Sequence, residues 1–70
     1  MPIFLAPINE EVTISFIKGD EKVKRHLAEL GLTVGGRVMV ISRDGKSVVL
    51  LVKNTRLALD RDISGSILIA

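Results

Sequence analysis

One histidine, eight acidic side chains and no cysteine, tyrosine or tryptophan are all that this 70-residue chain offers for chemistry. His26 and Glu29 stand three residues apart, a spacing that a helix brings to one face. The pair could catch a metal at a contact between molecules. A structural or transport site, however, gathers three or more histidine, cysteine or carboxylate ligands, and one histidine beside scattered acids cannot close such a site within one chain. A solvated histidine at a helix edge is the simpler reading. Asp60 and Asp62 flank Arg61, but an exposed turn explains them better than an acid and base held at a working separation. The run GDEKVK from Gly19 lacks the GxxxxGK[ST] pattern that cradles phosphate, and Gly35-Gly36 reads as a turn. No nucleophile is joined to a base by a recognisable motif. The expectation is a protein that is not an enzyme, with no cofactor and no metal of its own.

Composition describes what must carry any other function. Hydrophobic residues make up 47% and charged residues 26%, the balance of a globular chain. Seventy residues form one domain, 1–70, which buries only roughly 60% of its unfolded surface. Without cysteine there is no disulfide staple of the kind small secreted domains use, so a cytoplasmic home fits best. The apolar start MPIFLAPI stops at Asn9 and Glu10, short of the ~17–25 residues that cross a bilayer, and it lacks the basic start and cleavage site of a signal peptide. It reads as an arm lying on the domain. Ten basic and eight acidic side chains give a net charge of +2 with no block of five like charges. Neither a nucleic-acid tail nor a polybasic membrane patch is implied.

Residues 11–17, EVTISFI, alternate as a half-buried strand with Val12, Ile14 and Phe16 inward. Asp20 is a good N-cap and Glu21 suits the positive end of the helix that follows to about Leu30. Its apolar stripe is Val23, Leu27 and Leu30, directed inward. Gly31 fits the left-handed position just past the helix, with Leu32 folding back on Leu27. Gly35 and Gly36 let the chain reverse into a strand over Arg37 to Ser42, apolar on both faces and therefore central or covered. Asp44-Gly45 is the signature of a type I′ hairpin, leading to SVVLLV at 47–52. Asn54 can take the left-handed conformation of a second tight turn into Arg56–Leu59. A polar segment with a helical turn, 60–66, precedes ILIA at 67–70. Strands this short are too short for parallel crossovers, so the order predicts a mostly β fold: a small, strongly bent, partly closed antiparallel barrel of about five strands with one α-helix between the first two.

The run GDEKVKRHLAELGLTVGGRVMVI, the DG turn and LLVKNTRLALDRDISGSILI together resemble the FeoA domain of bacterial ferrous iron transport. Leu30, Gly31, Leu32, Gly35, Arg56, Leu57, Ala58, Leu59, Ile63, Ile67 and Ile69 sit at the matching places, over nearly the whole chain. Asn54 and Ser64 depart from the pattern, which often has glycine and alanine there. The resemblance implies an SH3-like barrel, cytoplasmic, acting with FeoB, the membrane GTPase that carries ferrous iron. The same domain is fused to iron-dependent DtxR-type repressors. These need a helix-turn-helix region for which a chain filled by the barrel leaves no room, so a free-standing accessory protein is expected ahead of a regulatory module in iron-dependent transcriptional control.

Nucleic-acid binding is the rival reading, because small barrels bind single strands by stacking bases on aromatic side chains along a basic groove. Phe4 and Phe16 are the only aromatics, too few for that or for Pro-rich peptides. No nucleic acid and no membrane insertion are therefore expected. What remains is a protein-interaction module. Lys22, Arg25, His26 and part of Leu27 on the helix edge are the first candidate contact with FeoB, and the turn residues Gly31, Gly35, Gly45 and Asn54 hold the frame. SVVLLV is the second candidate, since an uncovered side would invite strand pairing or a weak homo-oligomer.

Overall fold

The computed structural model describes all 70 residues. After a 3-10 turn at Ile3–Leu5, the elements are β1 Glu11–Ile17, α1 Glu21–Glu29, β2 Arg37–Arg43, β3 Ser47–Val52, β4 Thr55–Asp60, a helical turn α2 Arg61–Ser64, and β5 Ile67–Ile69. All strand pairs are antiparallel, in the order β4-β3-β2-β1-β5. The central position of β2 explains its two apolar faces. The sheet does not close on itself, and β4 and β5 form its edges.

Alternation supplies the core. Val48, Leu50 and Val52 of β3 and Val38 and Val40 of β2 point inward, and Leu59, Ile67 and Ile69 join them. Burying each such side chain is worth roughly 1.5–3 kcal/mol. Strand β1 departs from the expected pattern. Ile14 and Ile17 are buried while Phe16 is 52% exposed, because the β1–β5 register shifts between Ile14 and Phe16. The irregularity at Ser15 reverses the side on which later residues fall, which puts Ile17 inward and Phe16 in solvent.

Of the two hairpin turns, the one at Asn54 takes the left-handed conformation its sequence suggests and the one at Asp44-Gly45 does not. Lys53 and Asn54 both have positive φ, 49° and 66°, and join Val52 to its partner Thr55; this is the pattern a type I′ turn requires. Asp44-Gly45 does not form one, since neither residue has positive φ. Instead the Asp44 carboxylate accepts the N–H groups of Lys46 at 2.7 Å and Ser47 at 2.9 Å, closing a longer loop. Those bonds favour the ionised form and hold the Asp44 carboxyl below its ordinary range.

The N-terminal arm is more than a surface strap. Ile3 and Ala6 are wholly buried in the core, and Arg43 Nη1 donates to the Ala6 carbonyl. The Arg61 guanidinium lies 4.7 Å from the centroid of the Phe4 ring, a cation–π contact. Ser64 is fully buried, with its hydroxyl donating to the Arg61 carbonyl at 3.0 Å. A serine at this position therefore costs the core no unsatisfied polar atom.

Candidate partner-docking surface

Helix α1 begins where its sequence says it should. Asp20 Oδ1 accepts the Val23 N–H at 3.0 Å, satisfying one of the free donors of the first turn. At the other end, Leu32 N–H donates to the Leu27 carbonyl and Gly31 N–H to the Ala28 carbonyl, both at 2.9 Å. With Gly31 at φ +91°, this is a complete Schellman ending. Leu27 and Leu32 are both fully buried in the same core. Gly35, at φ +88°, turns the following loop so that its N–H donates to the Ile14 carbonyl at 2.8 Å. The loop is thereby tied to β1.

The helix is anchored by little else. Of its nine residues only Leu27 is buried. Leu30, just past its last turn, is half-buried against the core, and Val23 is 36% exposed. The expected three-residue inward stripe is thus a single peg with a partial second, because the helix meets the sheet near its C-terminal end. Leu27 is correspondingly core: of the four candidate contacts it alone is fully buried, a correction to the expectation that part of it is exposed. Lys22, Arg25 and His26 are exposed.

Two grooves flank α1. One is lined by Lys22, Val23, His26, Leu27 and Ile63, so the structure brings Lys22 and His26 together beside a half-buried side chain of α2. Arg25 stands outside it. The second, about 230 Å³, runs between α1 and β1 and is lined by Phe16, Ile17, Lys24, Ala28, Leu32, Thr33 and Val34. Phe16 and Val34, 52% and 61% exposed, form its apolar rims. Regular alternation along β1 points Phe16 inward and so hides this groove, whereas the structure turns Phe16 outward to form its rim. The signal that could have found it is the spacing of Ile14 and Ile17, which a regular strand cannot bury on one face.

The other candidate surface, the outer face of β3, is partly covered. Ser47, Val49 and Leu51 are half-buried, flanked across the sheet by Met39 and by Arg56 and Ala58. The one ion pair in the molecule joins Arg37 to Glu11 at 3.4 Å, with both side chains largely exposed. Pairs of this kind contribute little to stability. No three potential metal ligands converge, and no helix is long and apolar enough to cross a membrane.

The family model that matches is the FeoA domain, over residues 1–70. A search of curated proteins found no match. Among solved structures, a crystal structure described as an iron uptake regulatory protein (FeoA) aligns with a TM-score of 0.91 at 18% identity, covering 99% of this chain and 93% of the other. The FeoA protein from Chlorobium tepidum aligns with a TM-score of 0.84 at 17% identity, over 99% of this chain and 68% of the other. ScaR with bound Zn2+ aligns with a TM-score of 0.81 at 18% identity, over 91% of this chain but only 33% of that one. These likenesses show a shared fold.

Proposed function

The chain belongs to the FeoA domain family, and from that membership we propose that it is a small cytoplasmic accessory protein of ferrous iron uptake, which docks on the cytoplasmic part of FeoB and adds no chemistry of its own. The observation that carries this reading is the state of α1. A helix that buries one side chain of nine, with Lys22, Arg25 and His26 exposed along its edge, keeps most of its surface for a partner. Cations at a rim steer association and fix register, while adjoining apolar surface supplies the driving force.

Ferrous iron accumulation tests the role. Cells lacking the protein should take up less ferrous iron than the parent and recover when the chain is restored. Normal uptake without it would contradict the reading.

A second reading has one specific observation behind it. The alignments to ScaR and to a manganese-dependent transcriptional repressor cover 33% and 40% of those chains, the proportion expected of one module in a larger regulator. On that reading, loss of the protein would change metal-dependent transcription and leave FeoB-mediated uptake intact.

A further inference from the structure

Only one of the two sheet edges is covered. Beside β5, the Ile69 N–H donates to the Met1 carbonyl at 2.8 Å and Pro2 bridges Leu68. Strand β4 has β3 on one side and no strand on the other.

Hairpin geometry identifies the open groups. The two-residue Lys53-Asn54 turn makes Val52 and Thr55 a hydrogen-bonded pair. Along an antiparallel ladder bonded and non-bonded pairs alternate, so Leu50/Leu57 and Val48/Leu59 are bonded as well. The N–H and C=O groups of Arg56 and Ala58 therefore point away from β3. Neither a proline nor a bulge interrupts this edge: β4 reads TRLALD and keeps an unbroken register with β3, and its two charged residues, Arg56 and Asp60, are of opposite sign. Edges left in this state are templates for another strand.

The side chains say which strand. Arg56, Ala58 and Asp60 alternate along the outer face and are all exposed. Arg56 has no ionic partner in its own chain. Asp60 uses Oδ1 to accept the Ile63 N–H at 2.8 Å, which leaves its second oxygen free. We propose that two copies of this chain pair antiparallel through β4 about a two-fold axis at Ala58, joining two five-stranded sheets into one. Ala58 then faces Ala58 of the second copy, and Arg56 faces Asp60 on both sides of the axis. Shifting the register by one bonded pair in either direction removes both charge pairings, so the sequence Arg-x-Ala-x-Asp is complementary to itself in one alignment. Opposite charges directly across a ladder stabilise it, and like charges destabilise it. A contact of this length is small beside standard interfaces of about 1,200–2,000 Å². The association is accordingly weak and follows concentration.

The experiment is analytical ultracentrifugation with amide exchange, from low micromolar to millimolar protein. The mass should rise from 7.6 kDa toward twice that value. Exchange at Arg56 and Ala58 should slow as it does, while Leu57 and Leu59, bonded to β3, stay protected throughout. Arg56→Asp sets carboxylates opposite each other and should weaken association roughly tenfold or more. Mixing Arg56→Asp with Asp60→Lys places opposite charges across both pairs and should restore a heterodimer. Because Asp60→Lys also removes the cap of α2, its melting is followed alongside. Ala58→Pro removes an outward N–H without touching a β3 bond and should independently leave a monomer. A single-chain mass at every concentration overturns the proposal, as does association that survives both Arg56→Asp and Ala58→Pro. Protection of Ala58 only on adding a different protein with an extended segment would assign the edge to that partner and overturn it too.

Discussion

Gly31 shows how much one backbone angle can decide. At φ +91° a β-branched residue is strongly disfavoured, and a Cβ there would sit 3.2 Å from Val52 Cγ1. Gly31→Val should cost about 1–3 kcal/mol. In a domain this small each kcal/mol shifts the midpoint by about 4–8 °C, so thermal melting reads the loss directly. An unchanged midpoint would mean that the helix tolerates another ending. Residues whose roles are set by near neighbours could be read from sequence: Asp20 caps, Gly31 turns and Leu32 folds back on Leu27, all within a dozen positions. Gly45 could not, because the Asp44 carboxylate captured two N–H groups and closed the loop without positive φ. Phe16 could not either, since its side of the sheet depends on where β1 slips against β5, the partner farthest from it along the chain.

Helix α1 and the five strands follow from periodicity and caps, which are local properties. Their packing is less local. The stripe Val23, Leu27, Leu30 was visible as a pattern, but how far each residue enters the core depends on the angle at which the helix meets the sheet. Only Leu27 goes fully in. The β3–β4 hairpin offers a direct check on turn chemistry. Lys53 at φ 49° adopts a conformation that lysine enters at a cost of roughly 1–2 kcal/mol. Replacing Lys53→Asn with Asn54→Gly supplies the pair that a type I′ turn prefers. The double variant should melt several degrees higher, by about 0.5–1 kcal/mol of added stability. A lower midpoint would contradict the assignment of this turn.

In the molecule as a whole, the N-terminal arm completes the core, which its sequence did not reveal because an apolar run of that length could equally lie on the outside. Ile3 is fully buried, so Ile3→Ala should cost about 2–5 kcal/mol. That is a large share of the ~3.5–10 kcal/mol expected for a chain of this length. Chemical denaturation checks it, and a loss below ~1 kcal/mol would mean that the arm only rests on the surface. The cations of α1 stand out in the sequence and are exposed in the structure, while the groove bounded by Phe16 and Val34 depends on the slip of β1 against β5 and is not legible from periodicity. The most direct test of docking through α1 is co-purification of FeoB with the double variant Lys22→Glu, Arg25→Glu, taken beside its melting curve. Both side chains are exposed, so folding should change by no more than ~0.5 kcal/mol. Capture of FeoB should fall well below that of the parent, because a complementary patch then opposes its partner with like charge. A folded double variant that retains FeoB as well as the parent does would contradict the assignment of this helix edge as the docking surface.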